Sequence, residues 1–203
     1  MEPTPALTIR GVVLYRDRLD TAAQAALVAS LRELVQVAPF FRPVTARGQQ
    51  MSVRMTSAGA VGWVSDRAGY RYQERHPAGQ AWPDIPESLL ALWKQVVPEA
   101  RPPDSCLINF YDAGARMGMH QDRDEADLEQ PVMSVSLGDD ALFRIGNLTR
   151  GGRTESIWLN SGDVLVMGGA ARLVYHGIDR VRPGSSSLLP QGGRLNLTLR
   201  VAR

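Results

Sequence analysis

A histidine and an aspartate two residues apart, His120 and Asp122, form the pair in this sequence best suited to bind a metal ion. On an extended segment, residues i and i+2 point to one face, so an imidazole and a carboxylate stand side by side. The third ligand must come from one of two other histidines. His76 lies in a polar segment that indicates an exposed loop. His176 follows the β-strand-like run 172–175, as at a strand end, and we predict that it completes the site.

Two imidazoles and one carboxylate on one face of an octahedron leave three adjacent positions open, as in non-haem Fe(II) oxygenases. Zinc accepts the same ligands and remains the alternative metal. A His-x-Asp pair alone is weak evidence, because it occurs by chance in many loops. The choice of Fe(II) therefore depends on residues that bind a cosubstrate.

The segment 194–200 supplies such residues, because apolar and polar side chains alternate along it without a break. Its polar face consists of Arg194, Asn196, Thr198 and Arg200. The two arginines lie six residues apart, roughly 20 Å along the strand at about 3.3 Å per residue. One arginine can bind the distal carboxylate of a dicarboxylate ligand as a fork, while the other lies near the metal. The alternative is a solvent-facing strand with two surface arginines.

A second pair with the same spacing, Asn109 and Tyr111, offers an amide and a hydroxyl to the same ligand. For Tyr111 the alternative is a partly buried core tyrosine. Taken together, these groups predict an Fe(II)- and 2-oxoglutarate-dependent dioxygenase, with 2-oxoglutarate and O2 as cosubstrates. Such an enzyme couples oxidation of a C–H bond to formation of succinate and CO2.

The composition fits one domain, since the chain has 203 residues of which 44% are hydrophobic. No apolar stretch of about 18 residues predicts a membrane span. Residues 1–10 lack an apolar signal core, so we expect a cytoplasmic protein. Cys106 is the only cysteine, which excludes an internal disulfide and a Cys-rich metal site. Its apolar neighbours indicate a buried core thiol.

The chain is mildly basic, with a formal net charge of +2, and Lys94 is the only lysine among 23 Lys and Arg residues. Arginine suits bidentate binding of phosphate and carboxylate groups. Genome base composition explains the bias equally well.

Two helices are predicted before residue 105. The first runs from Thr21 to about Val37, with Thr21 and Gln24 at capping-box spacing. The second runs from Pro86 to Val97, since proline favours the first helical position. Short strands separated by turn residues are predicted at 11–15, 105–111, 131–137, 141–146, 156–159, 163–167, 172–175 and 194–201.

This order of elements predicts an α+β fold in a single domain, 1–203. A double-stranded β-helix, or jelly roll, forms its core at 105–203, and the N-terminal helices buttress that core. Residues from about 40 to 84 are rich in glycine, arginine and aromatic side chains. We expect this segment to form hairpins and loops over the core.

Five motifs closely resemble, in order and spacing, the AlkB family of nucleic-acid demethylases, near its bacterial founding member. They are Leu107–Ala115, His120–Glu125, Val135–Gly138, Tyr175–Gly177 and Arg194–Arg200. A matching N-terminal segment, 62–72, contains Trp63, Tyr70 and Tyr72. Departures from the founding member at Met117, Gly118 and Met167, and a shorter N-terminal arm, leave the substrate range open.

The resemblance implies a flexible nucleotide-recognition lid at about 40–84 and assigns three groups of residues. Iron would be held by His120, Asp122 and His176. The 2-oxoglutarate would be contacted by Asn109, Tyr111, Arg194, Asn196 and Arg200. The substrate would be contacted by Trp63, Tyr70, Arg71, Tyr72, Asp124 and Arg150.

The activity so implied is oxidative demethylation of 1-methyladenine and 3-methylcytosine, which reverses alkylation damage and releases formaldehyde. Its partner would be methylated single- or double-stranded DNA, with RNA as a further candidate, and no membrane. A base must leave the stack to be reached. Trp63 and the imidazole of His120 can form the two walls around it. The alternative for Trp63 is a core tryptophan.

Asp124 shares the parity of His120 and Asp122 and can accept a hydrogen bond from an exocyclic amine. The alternative is a solvated acidic loop, which is our interpretation of Glu125, Asp127 and Glu129. Phosphate contacts are expected from part of the arginines at 42, 47, 54, 67, 71, 75, 150 and 153, the others being surface residues. The competing hypotheses are an oxygenase acting on a protein or small molecule, and a non-catalytic nucleic-acid sensor. We expect a monomer.

Overall fold

A computed structural model of the chain describes residues 6–203, so the first five residues of the N-terminal segment lie outside it. Helix α1 spans Thr21–Val37, as predicted, and helix α2 spans Glu87–Val96. The predicted capping box of Thr21 and Gln24 is wrong, because the N-cap residue of α1 is Asp20. The carboxylate of Asp20 accepts the backbone N–H of Ala23 at 2.8 Å and so caps the helix.

The larger of two main sheets has seven antiparallel strands. Numbered along the chain and given in spatial order, they are β1 (Leu7–Ile9), β2 (Val12–Tyr15), β11 (Val164–Met167), β8 (Val132–Gly138), β13 (Arg194–Arg200), β6 (Ser105–Tyr111) and β3 (Arg54–Gly59). The predicted strands at 11–15, 105–111, 131–137, 163–167 and 194–201 match five of these to within one residue at either end.

The smaller sheet has four antiparallel strands and faces the larger one. In spatial order they are β10 (Glu155–Leu159), β9 (Ala141–Ile145), β12 (His176–Val181) and β7 (Met117–His120). A separate two-stranded hairpin is formed by β4 (Gly62–Asp66) and β5 (Gly69–Gln73). Two facing antiparallel sheets with helices on one side confirm the predicted α+β jelly-roll fold.

Two hydrophobic cores hold these layers together. The first lies between the helices and the outer face of the seven-stranded sheet, where Leu31 and Trp93 pack with Ile108 and Leu197. The second lies between the two sheets and includes Phe143, together with other side chains from both. Because a strand alternates its faces, one strand serves both layers.

Strand β13 shows this alternation most clearly. Leu195, Leu197 and Leu199 belong to the helix-facing core. The side chains that alternate with these leucines line a cavity between the sheets; they are Arg194, Asn196, Thr198 and Arg200. Since β13 pairs with both β6 and β8, it lies inside the sheet and not at its edge. The alternative of a solvent-facing strand is therefore excluded, and Arg194 and Arg200 are 0% and 5% exposed.

The predicted strand at 172–175 is wrong. A short 3-10 helix (Gly169–Ala171) and a turn occupy this region, and the strand begins only at His176. The β-strand-like run misled the prediction because Val174 is buried between the sheets without belonging to a ladder. Arg172 is buried there as well and donates to the carbonyl oxygens of Asp122 and Gln130.

The segment 40–84 contributes more to the core than expected. Its strand β3 pairs with β6 and forms one edge of the seven-stranded sheet. His76, predicted in an exposed loop, is 5% exposed and lies against the rings of Phe41 and Trp82. Its Nε2 atom is 2.9 Å from the carbonyl oxygen of Pro39. The extent of the lid stays a prediction. Within residues 6–203, no helix has both the length and the apolar character needed to cross a bilayer.

Candidate active site

Three potential metal ligands converge where β7 ends and β12 begins. One ligand atom from each of His120, Asp122 and His176 lies within 4.8 Å of the other two. Oδ1 of Asp122 is 3.7 Å from Nε2 of His120, and Oδ2 of Asp122 is 3.8 Å from Nε2 of His176. The predicted trio therefore forms one cluster between the sheets.

Backbone carbonyl groups orient both imidazoles. Nδ1 of His120 is 2.9 Å from the carbonyl oxygen of Gly118, and Nδ1 of His176 is 3.0 Å from that of Val174. Because a carbonyl oxygen only accepts, these contacts assign the proton to Nδ1 in both rings. The lone pair of each Nε2 then faces the cluster and is free to bind a metal.

The charges of the cluster also suit metal binding. Burial opposes ionisation of Asp122, but the Arg200 guanidinium, 2.8 Å away, and the two histidines hold the pKa of its carboxyl well below the usual range. Burial lowers the pKa of His176 to about 4 despite the attraction of Asp122. At neutral pH the carboxylate is ionised and the His176 imidazole is neutral, which are the forms that bind a metal.

The donor set fits an Fe(II) ion. Oδ2 of Asp122 is buried and has no hydrogen-bond partner among the described residues, although buried polar atoms normally have one. At 3.8 Å from Nε2 of His176 it is too far away for a hydrogen bond. An ion held between the three side chains would satisfy these atoms. Zinc suits the same three ligands. Iron is favoured by the neighbouring residues predicted to bind 2-oxoglutarate, which we call the cosubstrate wall.

That wall is centred on Arg194, the largest fully buried side chain. Its Nη2 atom donates to the hydroxyl of Ser136 at 2.8 Å, while Nε and Nη1 have no hydrogen-bond partner among residues 6–203. Burial lowers the pKa of Arg194 to about 10, so the guanidinium stays protonated at neutral pH. A buried cation with two unused donors fits a carboxylate ligand, since the fork of a guanidinium matches a carboxylate.

Three other predicted cosubstrate residues, Asn196, Asn109 and Tyr111, line the same cavity as this guanidinium. Asn196 donates its amide to the hydroxyl of Ser134 at 2.6 Å. Oδ1 of Asn109 is buried and has no hydrogen-bond partner in the described chain. Burial raises the pKa of Tyr111, so its hydroxyl remains a donor. Each of these side chains lines the same cavity as the metal trio.

The cavity between the sheets has a volume of about 770 Å³. It is lined by the eight predicted metal and cosubstrate residues and by four of the predicted substrate residues, namely Trp63, Tyr70, Asp124 and Arg150. Met117, Gly118 and Met167, on which the expected substrate range was left open, also line it. A volume of this size is typical of a ligand site.

Aromatic side chains from the hairpin stand at this cavity. The rings of Trp63 and Tyr70 stack with centroids 5.5 Å apart and planes 19° apart. Nε1 of Trp63 donates to Oδ2 of Asp124 at 2.9 Å. Tyr70 is 52% exposed, and the guanidinium of Arg150 lies 5.9 Å from the ring of Tyr175. Flat apolar surfaces and a carboxylate therefore meet beside the metal trio.

Two predicted substrate residues do not line the cavity. Arg71 is exposed and forms two hydrogen bonds with the carboxylate of Asp66, at 3.0 and 2.7 Å, within its own hairpin. Tyr72 points inward and donates its hydroxyl to Glu125 at 2.6 Å. Because β5 alternates its faces, Tyr72 points to the opposite side from Arg71. In this arrangement both side chains are engaged with protein partners.

Sequence reasoning missed Glu125 and Arg172. Glu125, interpreted as part of a solvated acidic loop, is 7% exposed, and its Oε2 is 3.0 Å from Nη2 of Arg172. Its neighbours in the sequence, Asp124 and Ala126, are exposed, so no burial pattern marks it out. The one available signal was the position of Arg172 next to the apolar residues Leu173 and Val174, which is unusual for a surface arginine.

Gly177, beside the ligand His176, has a steric role. A Cβ atom at this position would lie 2.5 Å from the carbonyl oxygen of Met117 and 2.9 Å from that of Gly118. Any side chain would therefore push β7 away from β12. Glycine permits the close approach that brings the His120 and His176 imidazoles together.

Comparison with known proteins agrees with this site. The family model of the 2OG-Fe(II) oxygenase superfamily matches residues 11–200. The alpha-ketoglutarate-dependent dioxygenase AlkB homolog of Caulobacter vibrioides is 54% identical over 200 residues, which cover 98% of this chain and 91% of that protein. The alpha-ketoglutarate-dependent dioxygenase AlkB of Escherichia coli is 39% identical over 201 residues, which cover 97% and 92%.

The fold agrees as well. A solved structure described as that of OsALKBH1 superposes with a TM-score of 0.84 at 29% identity and covers 97% of this chain and 99% of that one. The predicted resemblance is confirmed, and with it the prediction of an Fe(II)- and 2-oxoglutarate-dependent dioxygenase. The chain therefore belongs to the 2OG-Fe(II) oxygenase superfamily and, within it, to the AlkB family of alpha-ketoglutarate-dependent dioxygenases.

Proposed function

We propose that this dioxygenase removes methyl groups from the ring nitrogens of 1-methyladenine and 3-methylcytosine in DNA and so reverses alkylation damage directly. The observation that carries the proposal is the position of Trp63, Tyr70 and Asp124 on the cavity that contains the metal trio. Stacking surfaces and a carboxylate acceptor suit a flat, cationic base that carries an exocyclic amine. Membership of the AlkB family supports the same substrate class.

The residues of the cosubstrate wall divide the binding of 2-oxoglutarate between them. When bound, Fe(II), 2-oxoglutarate and O2 together supply the oxidation of a C–H bond, coupled to decarboxylation of the keto acid. Arg194 would hold the distal carboxylate with its two unused donors. Arg200, 2.8 Å from Asp122, keeps that ligand ionised and oriented. Burial of both guanidiniums excludes water and strengthens these contacts.

The hairpin would hold the target base. Tyr70 covers one face of Trp63 at 5.5 Å, so a base stacks either on the free face of the indole or in place of Tyr70. Asp124 accepts a hydrogen bond from the Trp63 indole N–H in this structure and would accept one from an exocyclic amine of the base in the complex. A methylated ring in its cationic form gains further from that carboxylate.

Demethylation at such a site needs little else from the protein. Hydroxylation of an N-linked methyl group gives N–CH2OH, and this hemiaminal loses formaldehyde spontaneously. No nucleophile or catalytic acid is required. The tasks of the protein are to extract the base, to position its methyl group and to keep the site dry.

The test is formaldehyde release from matched oligonucleotides. Enzyme with Fe(II), ascorbate and 2-oxoglutarate is incubated with 1-methyladenine or 3-methylcytosine oligomers, as single-stranded DNA, duplex DNA and RNA, and with unmethylated controls. We expect release only from methylated oligomers, with RNA as a further substrate to be ranked against DNA. If iron is verified as bound and no methylated oligomer yields formaldehyde, the substrate is a protein or a small molecule instead.

We further propose that the chain acts as a monomer in the cytoplasm. Two observations support this. The one thiol, Cys106, is buried, which suits a reducing compartment. Large exposed apolar side chains among residues 6–203 are limited to Leu7, Val37, Tyr70, Leu128 and Leu148. Sedimentation equilibrium across a tenfold concentration range tests the oligomeric state directly.

A further inference from the structure

A buried polar network links the aromatic hairpin to the metal ligand Asp122. Tyr72, on β5, donates its hydroxyl to Oε1 of Glu125 at 2.6 Å. Nη1 of Arg200 donates to the same hydroxyl oxygen at 3.3 Å. Nη2 of Arg200 is 2.8 Å from Oδ1 of Asp122. One side chain, Arg200, therefore separates the hairpin from the metal-binding carboxylate.

Glu125 is the centre of this network. Its carboxylate lies 3.0 Å from Nη2 of Arg172 and 3.4 Å from Nε of Arg200, and both arginines are nearly inaccessible to solvent. Arg172 also donates to the backbone carbonyl oxygen of Asp122 at 2.6 Å and to that of Gln130 at 2.7 Å. Glu125 thus hydrogen-bonds Arg172, which holds the Asp122 backbone, and forms a longer ion pair with Arg200, which holds the Asp122 side chain.

The hairpin is attached to this loop at two neighbouring points. Trp63 and Tyr72 are register partners on β4 and β5, so their side chains share one face of the hairpin. Trp63 donates to Asp124 and Tyr72 donates to Glu125. These acceptors come two and three residues after the metal ligand Asp122. A shift of the hairpin therefore acts on the loop that carries the ligand.

We propose that Tyr72 and Glu125 are positioning residues that couple the seating of the hairpin to the orientation of Asp122. Metal binding and hairpin ordering then favour each other, because coupling between two sites is reciprocal. The inference rests on the oxygenase site and does not depend on the proposed nucleic-acid substrate. It gives the network a role beyond stability, since an apolar replacement of a buried ion network is often as stable.

The first test measures metal affinity. Co(II) is titrated, with 2-oxoglutarate present, into the wild type and into Tyr72→Phe, Glu125→Gln and the matched control Glu129→Gln, and binding is followed by the visible absorption of Co(II). We expect affinity to fall by about 3- to 10-fold in Tyr72→Phe, which loses the hydrogen bond to Glu125 and the longer one from Arg200. Glu125→Gln is expected to lose about 10- to 100-fold, the range for partners of metal ligands, because it releases both arginines that contact Asp122. Glu129 is exposed, and its variant is expected to match the wild type.

Unchanged metal binding in both variants would overturn the positioning role. If both variants bind Co(II) within about twofold of wild type and show the same absorption bands, neither side chain orients Asp122. Glu125→Gln leaves Arg172 facing a neutral partner, so its folding is checked by circular dichroism. Tyr72→Phe keeps the ring and tests the proposal independently of that check.

The second test measures the hairpin itself. Amide hydrogen exchange of residues 62–73 is followed with and without Mn(II) and 2-oxoglutarate. Exchange should slow on metal binding in the wild type and in Glu129→Gln, and this protection should be lost in Tyr72→Phe. A merely structural tyrosine would change exchange equally with and without metal. Equal protection in Tyr72→Phe, or none in the wild type, overturns the coupling.

Discussion

His120 and His176 are register partners on the adjacent antiparallel strands β7 and β12, and their ring centroids lie 4.5 Å apart. Sheet pairing alone therefore brings two ligands together across 56 residues of sequence. The third ligand, Asp122, lies beyond the end of β7 and is held by side-chain contacts. The ligands differ in how they are supported, and replacing them should have different consequences.

Asp122→Ala should abolish turnover and also destabilise the metal-free protein by about 3–5 kcal/mol, because it removes one partner of a buried ion pair. The pKa of Asp122 is depressed below the usual 3.8 in the folded state, so its contribution is present at neutral pH and declines only as the pH falls below that value. His120→Ala is the control: its side chain is 40% exposed, so turnover should be lost at nearly unchanged stability. Urea unfolding of both metal-free variants measures their free energies of unfolding, and equal stabilities would contradict this prediction.

Arg194→Met should eliminate binding of 2-oxoglutarate without lowering the stability of the ligand-free protein. The guanidinium is fully buried and has only Ser136 as a hydrogen-bond partner in the described chain, so its removal relieves a desolvation cost. With Mn(II) bound, saturating 2-oxoglutarate at about 100 times Kd should stabilise the wild type by about 2.7 kcal/mol and should leave the variant unchanged. Thermal unfolding measures this, with the exposed Arg180→Met as control. A ligand-induced shift that survives in Arg194→Met would refute the role.

Trp63→Ala should weaken binding of a methylated oligonucleotide by about 1–3 kcal/mol, the usual contribution of one base stacked on an aromatic ring. Trp158→Ala is a matched control. Trp158, on β10, packs against the guanidinium of Arg182 and does not line the cavity. Fluorescence anisotropy with a labelled oligomer gives both affinities. Equal losses in the two variants, or none in Trp63→Ala, would favour a protein or small-molecule substrate.

Cys106 should be inert in the folded protein. Burial raises the pKa of its thiol to about 12 from the usual 9.0, so the reactive thiolate is absent at pH 8 and the sulfur is also shielded. Iodoacetamide at pH 8 should leave the native chain unlabelled and should label it fully in concentrated urea. Mass spectrometry reads the result, and rapid labelling of native protein would show that β6 opens to solvent.

The residues that carry a short-range pattern were predictable from the sequence. Strand β13 was predicted because its leucines alternate with polar residues over seven positions. Asn109 and Tyr111 share a face of β6 for the same reason. Of the two candidate histidines, His176 is the one that the structure places beside His120 and Asp122. The burial of His76 was not predictable in this way. Its side chain contacts the carbonyl of Pro39, 37 residues earlier, and two aromatic rings, and no local pattern reveals these contacts.

The contacts that sequence reasoning could not predict are those between residues that are distant in the chain. Glu125 sits in an acidic run that is typical of a solvated loop, and only Arg172, 47 residues later, explains its burial. Tyr72 was assigned to the substrate, whereas its partners are Glu125 and Arg200, at separations of 53 and 128 residues. Nothing local distinguishes a tyrosine that faces a ligand from one that completes a buried ion network.

The pairing of β12 with β7, which Gly177 permits, has a consequence for folding. β12 and β7 are far apart in sequence, and the wall of the cavity depends on pairings between β13 and strands that precede it by many residues. Long-range pairings of this kind form late and slowly. During refolding, secondary structure should therefore recover before the chain regains its capacity to capture Co(II), which makes metal uptake a kinetic marker of completed assembly.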